Sequence, residues 1–246
     1  MEALQHLLNK FETINLQDMD GVRLMDRNDT KFLFSVSKLP VILEQLKAHY
    51  RVLRIEGTTI FRYKNLYYDT EDLKLYLAHH SERTNRYKIR HRTYVDNNLG
   101  FMEVKFKNNK NRTVKERIKQ NAVDKSFSEE AKQFIVNNSN IDPTLLKPSV
   151  WVNYQRITLV GAAERVTIDI NLEFLQNTKR FKMPALVIVE VKQSKRDQSA
   201  AFKILKSEKI RAVAISKYCM GIVITHPEVK QNNFEQKIKT MMAIVT

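Results

Sequence analysis

The strongest constraint on this chain is a stretch of alternating charge from Arg86 to Lys119, RYKIRHRTYVDNNLGFMEVKFKNNKNRTVKERIK. Read with a period of two, Arg86, Lys88, Arg90 and Arg92 share one face of a strand, and Tyr87, Ile89 and His91 take the other. In the next run Glu103, Lys105 and Lys107 oppose Met102, Val104 and Phe106; in the third, Lys115, Arg117 and Lys119 oppose Val114, Glu116 and Ile118. Turn-rich tetrads at 97–100 and 108–111 separate the runs, so the spacing predicts a three-stranded antiparallel meander. A helix would scatter these cations around its circumference, whereas a sheet collects them on one surface. Like charges opposed across strands destabilise the sheet. Such a face is either fully solvated or covered by a polyanion.

Composition narrows the partner. With 42 Lys and Arg against 27 Asp and Glu, the 246-residue chain carries a net charge of +15, which calls for an anionic partner: nucleic acid, an acidic membrane surface, or a phosphate-rich molecule. The length suits one large domain or two small ones, and 43% hydrophobic residues suffice for a real core. The single cysteine, Cys219, excludes an intramolecular disulfide framework and reads as a small buried apolar residue. The start, MEALQHLLNKFETINL, has an amphipathic helical pattern and lacks the features of a signal peptide, and no run approaches the roughly 18 apolar residues of a membrane span. These features lead us to expect a soluble, cytoplasmic protein.

Along the chain, Val22 to Phe34 reads as extended, with Arg27, Asp29 and Lys31 on one face. Ser37 with Pro40 marks the start of a helix running to about His49. Strands at 50–57 and 58–70 flank a turn at Gly57, and a short helix is expected at 71–80, where His79 and His80 read as packing or surface residues. After the meander come a helix at 128–138 capped by Ser128, a strand within Leu145 to Leu159, strands at 164–174 and 185–192, and helices at 198–208 and 216–224. About eight strands with helices between them give an α+β protein built on one antiparallel sheet or barrel. The residues after His226 read as a peripheral helix or a poorly ordered tail.

No Gly-rich phosphate loop, Cys or His metal cluster, or nucleophile triad stands out. The informative residues are the few carboxylates among the strand cations: Asp29, Glu103, Asp169 and Glu190 each share a face with cations of their own strand. One reading is that each acid only neutralises a neighbouring base. The other is that one or two hold a hard divalent ion such as Mg²⁺ or Mn²⁺ beside substrate phosphates in a basic cage. Such a cage suffices for phosphoryl transfer, in which positioning and charge neutralisation do most of the work.

The ordered series RNDTKF (27–32), NLYYDTEDLKLY (65–76), RYKIRHR (86–92), FMEVKFK (101–107), RTVKERI (112–118), YQR (154–156), RVTIDINLEF (165–174), VIVEVK (187–192) and SKYCMGI (216–222) resembles the VTC domain. That is the polyphosphate polymerase domain of the vacuolar transporter chaperone proteins and their bacterial relatives, within the triphosphate tunnel metalloenzymes. The resemblance implies an eight-stranded antiparallel barrel with surrounding helices, forming one domain over residues 1–246 with a core at about 22–222, an N-terminal helix at 1–14 and a tail at 226–246. Its interior would be a basic tunnel for ATP, triphosphate and polyphosphate, with Mn²⁺ or Mg²⁺ as cofactor. Carried over by motif, Lys31, Arg90, Arg92, Lys105, Lys115, Arg156 and Lys217 are the phosphate-binding, catalytic cations. Arg86, Lys88 and Arg117 join them as substrate-binding candidates because they share those faces. Glu190 is the implied metal ligand and Glu103 a second candidate.

Arg27 and Asp29 stand where the adenylate cyclase and thiamine triphosphatase branch has the glutamates of its E-x-E-x-K motif, which argues against that branch. The resemblance is to a stand-alone bacterial type, peripheral to the inner face of the membrane and dependent on a separate membrane partner. Competing readings are a triphosphatase with water as acceptor and a non-catalytic polyphosphate or nucleotide sensor. Nucleic acid is disfavoured because Tyr87 and Phe106 alternate away from the cations.

Overall fold

The alternation of residues 86–119 becomes three antiparallel strands in a computed structural model of the chain, which describes residues 2–21, 28–110, 112–121, 123, 126–193 and 199–245. In order, the elements are α1 (Glu2–Leu8), β1 (Thr13–Ile14), β2 (Asn28–Ser35), α2 (Leu39–Leu46), β3 (Arg51–Leu53), β4 (Phe61–Asp69) and α3 (Lys74–His80). The meander is β5 (Arg86–Tyr94), β6 (Leu99–Lys107) and β7 (Thr113–Lys119). Then follow α4 (Glu129–Asn138), β8 (Lys147–Val160), β9 (Glu164–Gln176), β10 (Lys179–Met183), β11 (Leu186–Gln193), α5 (Ala200–Ser207), α6 (Lys217–Thr225) and α7 (Glu235–Val245).

One mixed α+β layer results, with eight strands in the order β2-β11-β9-β8-β4-β5-β6-β7, every neighbour antiparallel. β10 extends the hairpin with β9, β3 pairs with β8, and β1 lies parallel to β3. The closed eight-stranded barrel expected from the sequence is corrected here: among the described residues no ladder joins β2 to β7, so the sheet is open. The outer edge of β2 is taken by another segment, through a bridge from Phe32 to Ala212 and a hydrogen bond from Val213 N to Lys31 O at 2.8 Å. The sheet nevertheless curls strongly. Lys31 of β2 and Glu190 of β11 act electrostatically on Lys105 of β6, although β9, β8, β4 and β5 intervene along the ladder.

Residues directly opposite in register share a face, and following the register across all eight strands gives one continuous inner face. The outer face is apolar. At the β2–β11–β9–β8 side, Phe32, Phe34, Ile157, Ile168, Val187 and Val189 pack under α1, α2 and α5; at the β5–β6 side, Ile89, Met102 and Val104 pack with Phe134 and Ile135 of α4. Burial of each such side chain is worth roughly 1.5–3 kcal/mol. The inner face is divided. At one end Val150, Val152, Phe174, Leu186 and Ile188 are covered by α6 and by Phe234 and Met241 at α7, which resolves the tail as a packed helix. Gly221 permits this contact, since a Cβ there would meet Phe174 Cδ1 at 2.9 Å.

Several boundaries differ from expectation. The helix predicted over 1–14 ends at Leu8, because Phe11 and Ile14 are each drawn into a different buried cluster and the chain becomes β1. The helix predicted from residue 71 starts at Lys74. Leu73 takes a left-handed conformation, and the Asp69 carboxylate at the end of β4 accepts from Leu75 N and Tyr76 N at 2.8 and 2.9 Å. Ser128 caps α4 as read, accepting from Ala131 N. β10 was not anticipated, and the segment 22–27 of the extended run, with Arg27, lies outside the described residues.

Gly100 carries a test of the meander. A Cβ at this position would sit 2.1 Å from Gln120 O and 2.9 Å from Asn121 Cα, both backbone atoms that cannot swing away. Gly100→Ala is expected to cost about 1–3 kcal/mol, read as a lowered midpoint in chemical denaturation.

Candidate functional site on the inner face of the sheet

The register sorts the inner face of β5 and β6 into rungs. From one end they read Tyr94–Leu99, Arg92–Phe101, Arg90–Glu103, Lys88–Lys105 and Arg86–Lys107. β7 adds Lys119, Arg117, Lys115 and Thr113 beside Phe101, Glu103, Lys105 and Lys107. Across β4, Tyr63, Asn65 and Tyr67 stand opposite Tyr94, Arg92 and Arg90. β8 and β9 contribute Arg156 opposite Asp169, and β11 with β2 contributes Glu190 opposite Lys31.

Two buried carboxylates organise these cations. Glu103 accepts from Arg90 Nε at 2.6 Å through Oε2 and faces Lys115 Nζ at 2.7 Å through Oε1. Asp169 accepts from Arg156 Nε at 2.6 Å and Nη2 at 2.8 Å, a two-point grip, and pairs with Lys217 Nζ at 2.6 Å. Burial alone would raise both carboxyl pKa values, but Arg90, Arg92 and Lys115 hold Glu103 well below the ordinary range, and Arg156 with Lys217 does the same for Asp169. Glu190 is held low too, against burial, by Lys192, Lys31, Lys217 and Arg156. Its contacts are looser: the nearest ion pair among the described residues is Lys31 Nζ at 4.0 Å.

Lys217 is the first residue of α6, whose N-cap Ser216 accepts from Cys219 N and also from Lys88 Nζ at 2.9 Å. α6 is fixed from the next position. Tyr218 donates a short hydrogen bond to Asp69 and stacks on Tyr67 at 4.9 Å, while the Tyr67 hydroxyl accepts from Arg90 Nη1 at 3.0 Å. Arg92 is spent largely on structure, donating to Asn65 Oδ1 at 2.9 Å beneath the Tyr63 ring. Arg117 is exposed over Phe101.

The structure therefore brings Arg90, Glu103 and Lys115 into one cluster, Arg156 and Lys217 into a second around Asp169, and Lys31 to Glu190, with Lys88 and Lys105 on the rung beside the first. Arg86 lies one rung further out, and Arg117 lies apart on the exposed strand. Sequence reasoning had Asp169 on a cationic face but not at its centre, and missed Tyr67, Tyr154, Asn65, Asp69 and Ser216. The motifs around Asp69 and Tyr154 were visible, but their partners lie 149 residues away for Asp69–Tyr218 and 62 for Arg92–Tyr154.

The aromatic rings expected to alternate away from the cations do so in β5 and β6 but not across the whole sheet. Tyr87 and Phe106 do stack together on the outer face at 4.6 Å, yet Tyr63 and Tyr154 from β4 and β8 place rings among the cations, with Arg156 5.2 and 5.1 Å from their centroids. Tyr154 is only 5% exposed, and the half-buried Tyr63 carries the guanidinium groups of Arg92 and Arg156 over its ring, so both rings brace cations.

The VTC domain model matches residues 26–226. The chain belongs to the VTC domain family. No curated protein matches its sequence significantly. Among solved structures, a candidate adenylate cyclase from Bacillus halodurans superposes with a TM-score of 0.50 at 14% identity, covering 78% of this chain and 96% of that one, a similarity of fold alone. A candidate adenylyl cyclase from Hippeastrum, described as having a dominant triphosphatase activity, gives 0.49 at 14% identity over 84% and 98%. In this VTC domain no helix among the described residues is long and apolar enough to cross a membrane.

For a metal, the donor chemistry is selective. Among the described residues no group of three or more His, Cys, Asp and Glu comes together, so a protein-only cage is absent there. Glu103 and Asp169 have both oxygens against cations. Glu190 alone of the three keeps its cation at arm's length, and a single carboxylate completed by phosphate oxygens and water suits Mg²⁺ or Mn²⁺.

Partial burial and the neighbouring cations lower Lys88 to about 8, from an ordinary lysine value of 10.5, and the cations around it include Lys31, Arg90 and Arg86. An anion arriving beside it restores the charged form. Tripolyphosphate binding is therefore expected to take up protons above about pH 8 and to weaken as pH rises from there towards 10.5, with a level affinity below about pH 7. Calorimetry in two buffers of different ionisation enthalpy reads the uptake, with the ligand's own titration subtracted. Lys88→Met should lower it, and an unchanged uptake in that variant contradicts the assignment.

Proposed function

We propose that this VTC domain is a metal-dependent polyphosphate polymerase that transfers the γ-phosphate of ATP to the end of a polyphosphate chain on the inner face. The observation that carries the reading is the state of the acids. Glu103, Asp169 and Glu190 are all held in their charged, weakly basic form by surrounding cations, and Asp69, which burial pushes up, has both oxygens taken by Tyr218 and by the N–H groups of Thr70, Leu75 and Tyr76, so the face is rich in positive charge and poor in free carboxylate able to take a proton. A water nucleophile gains from such a base. The terminal oxygen of a polyphosphate is already an anion and does not, which favours a phosphate acceptor over hydrolysis.

The chain's own residues would then act by position and charge. Arg156 and Lys217, fixed on Asp169, and Arg90, fixed by Glu103 and Tyr67, present donors whose directions are set before substrate arrives. In the transfer, an acceptor oxygen forms a bond to the γ-phosphorus while the bond from that phosphorus to the β–γ bridging oxygen breaks, and ADP leaves. The cations neutralise charge on the transferring group and on the departing ADP, and offset the repulsion between the two anions that must meet. A divalent ion at Glu190 would supply further neutralisation of phosphate charge. Export or control of the product through a separate membrane partner, at the inner face of the membrane, belongs to the same proposal.

Incubation with ATP and Mn²⁺ or Mg²⁺, with ADP, free phosphate and polyphosphate assayed together, tests it. The expected result is ADP matched by polyphosphate, with Glu190→Ala and Arg156→Ala each lowering turnover by about 10²-fold or more. ADP matched by free phosphate alone makes the chain a triphosphatase, and binding without turnover makes it a sensor. Undiminished synthesis in Glu190→Ala removes the metal assignment.

A further inference from the structure

The two margins of the open sheet are not alike. The edge of β2 is taken by residues 212 and 213, whereas β7, among the described residues, pairs with β6 alone. From Thr113 to Lys119 the ladder with β6 runs without a bulge, and the opposite edge carries backbone N–H and C=O groups that no other described strand meets. Every side chain of β7 is exposed except Ile118, which is half-buried, so the strand stands open to solvent along its length.

Sheets protect such a margin with proline, a bulge, a very short strand, a covering element or charge. β7 has only charge. On its inner side stand Lys115, Arg117 and Lys119, and on its outer side Val114, Glu116 and Ile118. That protection is selective in sign. Full antiparallel overlap with a second copy would set Glu116 on Glu116 and Lys115 on Arg117, and like charges directly opposed destabilise a strand pair. An acidic strand meets the reverse condition. Lys115 already answers Glu103, but Arg117 and Lys119 have no carboxylate partner among the described residues. The outer side offers apolar contact: Ile118 packs against the cluster of Ile89, Met102 and Phe134, and Val114 continues that line while 47% exposed.

We infer that the outer edge of β7 docks an extended segment of a partner protein, which adds a strand to the sheet with acidic side chains beside Lys115, Arg117 and Lys119 and apolar ones beside Val114 and Ile118. Backbone hydrogen bonds along the edge supply affinity, and the alternation of acidic and apolar residues supplies the choice of partner. A segment shifted by one residue would turn its acids to the apolar side, so the pattern also fixes which face the partner presents. Because Lys115 also holds Glu103, the docked strand adjoins the inner-face cluster without entering it. The docking edge stands whichever phosphate reaction the inner face performs.

The probe is a fluorescent peptide of the length of β7 that alternates glutamate and valine. A lysine–valine peptide and a glutamate–valine peptide methylated at alternate backbone nitrogens serve as comparisons, and binding is read with and without excess tripolyphosphate. The glutamate–valine peptide should bind equally in both conditions and slow amide hydrogen exchange across residues 113–119. It should bind several-fold more weakly to Lys119→Glu, which reverses a charge on the inner side, and to Val114→Asp, which places charge on the apolar side; both positions are exposed, so the fold tolerates the changes. Neither comparison peptide should bind. Unchanged exchange across 113–119 overturns the docking edge, as does equal binding of the methylated peptide, which would mean attraction by charge alone. A peptide displaced by tripolyphosphate has gone to the inner-face cations and also overturns it, while leaving the polymerase reading untouched. Slowed exchange across 113–119 that appears without peptide as protein concentration rises, with a dimer in ultracentrifugation, overturns the choice of partner and assigns the edge to a second copy.

Discussion

The carboxylates Glu103 and Asp169 set how much positive charge the inner face can hold. Each is at most 2% exposed, and each stands between two cations from different elements: Arg90 of β5 and Lys115 of β7 in one case, Arg156 of β8 and Lys217 of α6 in the other. A buried ion pair gains stability only when its geometry is good and its remaining valences are filled. Both acids satisfy that condition by taking two cations each, which leaves every cluster with one positive charge in excess. The clusters are thus rigid and still hungry for an anion, and removal of either acid would leave cations opposed with nothing between them.

The rest of the fold can be understood as support for this arrangement. Asp69 ties the end of β4 to the start of α3 and, through Tyr218, to α6, so the helix that delivers Lys217 is anchored one residue away. Tyr67 sits under Tyr218 and holds Arg90 from the opposite side to Glu103. The apolar half of the inner face, under α6 and α7, confines the charged groups to the remainder and excludes water from their flanks. Low local polarity strengthens each charge–charge contact, which explains why Glu103, Asp169 and Glu190 all titrate well below the ordinary carboxylate range.

What could be seen in the sequence was what a single strand encodes. Arg86, Lys88, Arg90 and Arg92 betray their common face through a period of two, and Ser128 announces the start of α4 through its own chemistry. The pairing of Lys31 with Glu190, or of Arg156 with Asp169, depends on register between strands, and no local pattern states it. The open edge of β2 had the same cause: residues 212 and 213 displace any closing strand, and nothing near Phe32 signals their arrival. The aromatic residues misled for a related reason. Tyr87 and Phe106 were read correctly within their own strands, while Tyr63 and Tyr154 joined the cations only when β4 and β8 were brought alongside. The ordered motifs carried the family because they sample many strands at once.

The central claim is that the inner face is an anion site built before its ligand arrives. The direct measurement is the thermal unfolding midpoint of the metal-free protein as tripolyphosphate is added, with ionic strength held constant by chloride. A preformed site predicts a midpoint that climbs with the logarithm of ligand concentration above the dissociation constant, by mass action, and a much smaller rise in Arg156→Ala. A midpoint that does not respond to tripolyphosphate, or that rises equally with chloride alone, would contradict the account.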